Sequence, residues 1–495
     1  MKNTSRRSFI KKSAALVAGF TILPSHVVSG FGYKAPSDKL NIAGIGIGGK
    51  GRVNLNAMKT ENIIGLCDVD WKHAERVFKE YPNAEQFTDW RVMFDKLGKS
   101  IDAVLVATAD HTHAVIAANA ITLGKHVYCQ KPLTHTVYES RLLTTLAKKY
   151  KVATQLGNQG SSGPEVRDIC EWIWNGEIGE IKEVHAWTNR PIWPQGLSRP
   201  TDLPEVPSAL SWDLFIGPAP YRPYHPAYTP WNWRGWWDFG TGALGDMACH
   251  IMDPISKALD LKYPINVHAS STAINMESAP QAESVHFTFP ARKSRPKCAM
   301  PEVKVSWYDG GIYPQRPAEL PDGIAMLNDD MGGVLFVGSK DKLICDLAGV
   351  NPRLLSGRVP NVPKTLRRIE NYKYGGIVDG PHEQDWIRAC KELPENRVEA
   401  SSNFDFAGPF NEMIVMGVLA VRLQPLNRTL NWDGGNMRFT NISDSDTFRS
   451  NVTSFSVKDG HPTFNNKMTE INAIQFVEGL IRHNYREGWS LPTMP

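Results

Sequence analysis

Two groups of residues in this chain are spaced for chemistry. The first is Gly46-Ile47-Gly48-Gly49-Lys50-Gly51, with an acid, Asp68, 22 positions after Gly46. Gly46, Gly48, Gly49 and Gly51 suit a tight turn that brings backbone N–H groups against a pyrophosphate at a helix N-terminus, and Asp68, directly after a second apolar run, is placed to accept from ribose hydroxyls. Such a carboxylate repels a 2′-phosphate, so NAD is the expected cofactor and NADP the less favoured one, with Lys50 or Arg52 able to moderate the preference. The second group is Asp246 and His250, four apart behind the glycines of Gly240-Thr241-Gly242-Ala243-Leu244-Gly245. A helix starting there puts both on one face. Imidazole, with an ordinary pKa of about 6.5, suits proton transfer to or from a hydroxyl, although an isolated pair of this kind more often decorates a surface.

These residues need strands and helices to hold them. Between residues 39 and 157, short apolar runs at 40–45, 63–67, 101–107, 126–129 and 152–156 alternate with amphipathic stretches such as 112–123 and 137–150. That alternation predicts a doubly wound parallel sheet of the Rossmann type. Beyond residue 157 the pattern changes to a helix at 164–174 and strand-like runs at 183–187, 285–289, 303–307 and 334–337. Strands without regular crossover helices predict a mostly antiparallel sheet with helices, so the fold class is α/β followed by α+β. The expected divisions are 38–160 for nucleotide binding, 161–437 for substrate and 438–495 for a C-terminal extension. Further helices are expected from Pro381 and over 410–421. The run His382-Glu383-Gln384-Asp385-Trp386 is not HExxH, and no metal site is assigned. The stretch from Met437 is read as polar up to a last helix at 470–483, after which Tyr485-Arg486-Glu487-Gly488-Trp489 docks on the fold.

Two further segments identify a family. Ala107-Thr108-Ala109-Asp110-His111-Thr112-His113 and Gly124-Lys125-His126-Val127-Tyr128-Cys129-Gln130-Lys131-Pro132 resemble the Gfo/Idh/MocA oxidoreductases, whose usual forms are ATPxxxH and GKHVxxEKP. The resemblance extends over most of the chain after residue 38. It implies an open-faced second sheet turned toward a nicotinamide, with Thr108, His113 and Gln130 in the cofactor site and Lys131 facing both cofactor and substrate. It also implies that His250, oriented by Asp246, or else Lys131, moves the hydroxyl proton. Gln130 stands where the family has Glu; it keeps the shape but removes a charge beside Lys131, leaving the lysine less strongly held as a cation. The activity implied is hydride transfer between the carbinol carbon of a sugar, glycoside or cyclitol and a tightly bound nicotinamide. Transient oxidation with elimination, as in an NAD-dependent glycosidase or lyase, and a non-catalytic sugar-binding protein remain as alternatives.

Composition sets outer bounds. The 495 residues are 42% apolar and 21% charged, a globular balance long enough for two domains. Five of the positive charges, Lys2, Arg6, Arg7, Lys11 and Lys12, lie in the first 30 residues with no acid among them, so the net charge of +4 becomes −1 for the remainder. No basic run is left to read as a nucleic-acid or anionic-lipid footprint. Ser5-Arg6-Arg7-Ser8-Phe9-Ile10-Lys11 followed by an apolar stretch of about ten residues has the pattern of a twin-arginine leader over residues 1–30, too short to span a bilayer. A periplasmic location with no stable membrane anchor follows as an expectation, as does a homo-oligomer. Seven dispersed cysteines make no disulfide framework. Of 15 tryptophans, seven lie between 187 and 237; indoles stack on sugar rings, and Arg234 with Trp233 and Trp236 is the expected substrate contact.

Overall fold

The computed structural model describes residues 38–329, 331–373 and 377–495; the expected leader lies outside the described residues. The first unit alternates β1 (Asn41–Ile45), α1 (Lys50–Ala57), β2 (Asn62–Cys67), α2 (Trp71–Glu80), β3 (Glu85–Phe87), α3 (Trp90–Leu97), β4 (Ala103–Val106), α4 (Asp110–Thr122), β5 (His126–Cys129), α5 (Val137–Tyr150) and β6 (Thr154–Leu156). All six strands run parallel in the order β3-β2-β1-β4-β5-β6. The central strand β4 is Ala-Val-Leu-Val, buried at every position, because helices cover both faces of a parallel sheet. The edge strand β3 escaped sequence reading: it has three residues, of which Glu85 and Gln86 are exposed.

The second unit runs through α6 (Pro164–Trp174), β7 (Ile181–Trp187), α7 (Trp212–Ile216), α8 (Gly242–Ile251), α9 (Asp253–Leu259), β8 (Asn266–Ser271), β9 (Glu283–Phe289), β10 (Val303–Tyr308), β11 (Gly333–Gly338), β12 (Lys342–Asp346), β13 (Arg353–Leu354), α10 (Pro381–Cys390), α11 (Phe404–Leu423), β14 (Leu430–Asp433) and β15 (Arg438–Phe439). Its nine strands are ordered β13-β12-β11-β7-β10-β9-β8-β14-β15, antiparallel except for β7 beside β10. The helix α11 joins the two units: it packs on α5, α8 and β8. With the short turn that follows, it is apolar and long enough to cross a membrane, yet 83% of its apolar window is buried inside the protein. From it the Asn411 Oδ1 accepts from Leu133 N at 2.9 Å and so fixes the loop that carries Lys131.

One expectation fails near the C-terminus. The stretch read only as polar contains a long hairpin, β16 (Thr447–Lys458) with β17 (His461–Asn472), and the last helix, expected from 470, is α12 (Ala473–Ile481), which begins after residues 470–472 have finished as strand. The signal was present: Asp459-Gly460, both at positive φ (51° and 77°), is the two-residue turn that matches strand twist. Asn472 then caps α12 by accepting from Gln475 N.

Candidate active site between the two sheets

The glycine turn follows β1 and opens α1, and it forms one wall of a cavity of about 460 Å³ at the carboxyl ends of the parallel strands. Gly46 has φ +77°, and a Cβ there would lie 2.6 Å from the Ala107 carbonyl; on Gly51 it would lie 2.2 Å from Gly46 O. Only glycine lets β1 and β4 approach at this crossing. Asp68, at the end of β2, lies on the cavity as expected, and its carboxylate accepts from the N–H groups of Ile47 (2.8 Å), Gly48 (3.0 Å) and Asp70 (3.0 Å). Burial raises its pKa and those N–H groups partly offset the rise. The bare backbone of the turn, the open helix end and an acid at the neighbouring strand make a donor and acceptor set that fits the pyrophosphate and ribose of a dinucleotide.

Opposite the turn, the cavity meets the second unit. Lys131, after β5, donates from Nζ to Asp246 Oδ1 at 2.7 Å, and Arg234 Nε donates to the same oxygen at 3.1 Å. Burial alone raises the Asp246 carboxyl, but these two cations outweigh it and hold the group well below the usual carboxylate range. His250, one turn along α8, lines the cavity with Gln130, Lys131 and Arg234. Its Nδ1 is buried with no hydrogen-bond partner among the described residues. Asp246 therefore does not orient His250 by a hydrogen bond, contrary to the sequence expectation; it clamps Lys131. Burial, reinforced by Lys131, pushes His250 down to about 3, so its imidazole is neutral.

Several expected contacts are displaced. His113 is away from the cavity wall, its ring nitrogens on Pro132 O (2.8 Å) and Thr108 O (3.0 Å), where it braces the loop behind Lys131. Thr108 stays on the cavity. Trp236 is fully buried, its indole N–H donating to Ala227 O at 2.9 Å, and it belongs to the aromatic core with Trp212, Tyr228 and Phe239. Trp231, 46% exposed, takes its place beside Trp233 on the cavity. The Arg234 guanidinium lies 4.3 Å over Trp233 and 5.2 Å over Trp231. Sequence reasoning also missed His73, whose ring packs against Gly48, and Trp489 near the chain end.

The Gln130 departure has a structural reason. Its Nε2 donates to Asn54 Oδ1 at 2.8 Å, and Asn54 Nδ2 donates to Glu383 Oε1 at 2.7 Å. Glu383, fully buried at the start of α10, also accepts from Tyr128 OH (3.1 Å) and Gly380 N (2.8 Å). A carboxylate thus already lies two hydrogen bonds from position 130, and the amide there supplies the donor that Asn54 requires.

Comparison with known proteins agrees with this architecture. Residues 40–158 match a model described as an oxidoreductase family, NAD-binding Rossmann fold, and residues 181–292 match the C-terminal alpha/beta domain of the same family. Levoglucosan dehydrogenase of Pseudarthrobacter phenanthrenivorans is 30% identical over 166 residues, 34% of each chain. Inositol 2-dehydrogenase of Salmonella typhimurium is 25% identical over 152 residues, 30% of this chain and 45% of the relative. These alignments span between a third and a half of the curated relatives. Among solved structures, the WlbA dehydrogenase from Bordetella pertussis in complex with NADH and UDP-GlcNAcA superposes with a TM-score of 0.53 at 14% identity, over 80% of this chain and 99% of that one. An oxidoreductase domain protein from Kribbella flavida gives 0.51 at 18% identity, over 78% and 98%. At such identities the likeness concerns the fold.

Proposed function

Since the chain belongs to the Gfo/Idh/MocA oxidoreductase family, we propose that it is a dehydrogenase that oxidises a carbinol carbon of a sugar, glycoside or cyclitol with a tightly held NAD. The observation that carries this reading is that the glycine turn, Lys131 and the unpartnered His250 border one cavity. Relatives named for levoglucosan and inositol support the substrate class. Gly46 to Gly51 would hold the pyrophosphate and Asp68 the adenosine ribose, and a nicotinamide bound beyond them supplies the hydride acceptor. Lys131, kept in place by Asp246, donates a hydrogen bond to the substrate oxygen and stabilises the negative charge that grows on it as the C–H bond breaks. Neutral His250 takes the hydroxyl proton, so the substrate loses a hydride and a proton and gains a carbonyl. Arg234 and the Trp231 and Trp233 rings provide the polar and apolar sides of the sugar site.

The acid at position 68 favours NAD over NADP in this reading. Residues 1–30 act as a twin-arginine leader, and the folded enzyme carries its nucleotide to the periplasm, where it is recycled within the site. The deciding experiment is to denature the purified protein, identify any released nucleotide, and then screen glycosides and cyclitols while following reduced-nicotinamide absorbance. Release of NAD(H) with substrate-dependent reduction is the expected outcome. Absence of nucleotide, together with no binding of added NAD or NADH, would overturn the proposal.

A further inference from the structure

The strand order places the glycine turn, after β1, near the centre of the cavity floor, with Asp68 and Trp90 following β2 and β3 on one side and Lys131 following β5 on the other. A dinucleotide with its pyrophosphate at the turn and its nicotinamide at Lys131 lays its adenosine over the ends of β2 and β3. That end of the cavity is bordered by Thr88, Asp89 and Trp90, and also by Trp489, which comes from the far end of the chain. The two indoles are 6.4 Å apart between centroids and inclined by 51°.

The tail is tied down just before this point. Tyr485 OH donates to Glu139 Oε1 at 2.6 Å, Arg486 N to Pro218 O at 3.0 Å, and the Arg486 side chain to Gly217 O (3.1 Å) and Asp213 O (3.0 Å). The Arg91 guanidinium lies 4.5 Å over the Trp489 ring. Trp489 is half-buried: it packs against the edge of the core and still lines the cavity mouth, where part of its indole stays open to a ligand.

We propose that Trp489 is an adenine-binding residue, and that the anchored segment from Tyr485 to Trp489 latches the adenosine half of the cofactor and slows its release. The inference rests on the dinucleotide reading of the glycine turn. An aromatic face under a base is worth enough that its removal weakens binding about tenfold.

The test measures binding of ADP-ribose, NADH and nicotinamide mononucleotide to the nucleotide-stripped full chain and to Trp489→Ala, Trp489→Gln and Trp489→Phe. ADP-ribose and NADH are expected to bind Trp489→Ala about tenfold more weakly, mainly through faster dissociation, while Trp489→Phe stays within about threefold and the mononucleotide is unaffected. Trp489→Gln, closer in bulk to the indole, gives the same reading should the alanine variant fail to fold. Equal ADP-ribose binding by the unaltered protein and both ring-less variants overturns the role of Trp489 while leaving the dinucleotide site standing. No ADP-ribose or NADH binding by the unaltered protein overturns the dinucleotide site and this inference with it.

Discussion

Lys131 and Arg234 share one oxygen of Asp246 in a cleft where all three side chains are largely covered, 15%, 19% and 12% exposed. Replacing Asp246 with Ala leaves two cations without their anion, and a loss of about 3 kcal/mol of stability is expected by thermal or denaturant unfolding. An unchanged unfolding midpoint would mean that the clamp is not formed in solution. Substituting Lys131 or His250 with Ala is expected to cut turnover by about 10²–10⁴-fold while NADH binding persists, as measured by steady-state rates beside cofactor titration. At position 130, the family's usual acid would be the disruptive choice here. Gln130→Glu removes the donor to Asn54 and brings a second carboxylate toward buried Glu383, so it should cost about 1–3 kcal/mol, much of it recovered in the Gln130→Glu, Glu383→Gln double variant. The residue types at this site were readable from the sequence, but their pairing was not: a four-residue spacing pointed Asp246 at His250, whereas the loop after β5 brings Lys131 closer to the carboxylate than its helical neighbour.

The elements that carry the site are local constructions with long-range consequences. The turn between β1 and α1 depends on Gly46 at φ +77° and on the absence of a side chain against Ala107. Gly46→Ala should strain the backbone by about 1–3 kcal/mol and separate β1 from β4, lowering the melting temperature and weakening dinucleotide binding by more than tenfold. Retention of both would show that the turn has another low-energy form. Helix α5 was legible from its amphipathic period, and the structure adds a capping box at its start, with Thr136 Oγ1 accepting from Glu139 N and Glu139 Oε2 accepting from Thr136 N. Strand β3 and the β16–β17 hairpin were not read, the first because two exposed residues in three leave no apolar pattern, the second because its sequence is mostly Ser, Thr, Asn and charged residues, which carry little apolar alternation.

For the molecule as a whole, buried neutral histidines set the response to acid. Burial pushes His111 and His113 down to about 4, and His250 and His483 to about 3. In the unfolded chain each titrates near about 6.5, so the unfolded state binds more protons as pH falls below that value. The stability these groups contribute is complete above about 6.5 and drains as pH falls through about 4 toward 3. Asp110 and Asp309, raised to about 7 by burial, act with the opposite sign, as do Asp68, Glu139, Glu283, Glu399 and Glu412, but burial lowers five more histidines, His126, His135, His185, His286 and His382, so the histidines remain the larger set. Melting temperature should therefore fall steadily from pH 6.5 to pH 4, on the order of the range the histidines set; a flat profile would mean that these rings are hydrated or already protonated. By itself the sequence determined the glycine turn, the acid after β2, the parallel strand pattern and the family resemblance, because each is a local rule about backbone conformation or burial. Only the tertiary structure decided which side chain Asp246 holds, that His113 and Trp236 serve the framework, that Glu383 stands behind Gln130, and that the last residues return to the mouth of the cavity. The contacts of Lys131 with Asp246, Asn54 with Glu383 and Glu139 with Tyr485 join positions more than a hundred residues apart, and no spacing along the chain encodes how two sheets and a linking helix bring them together.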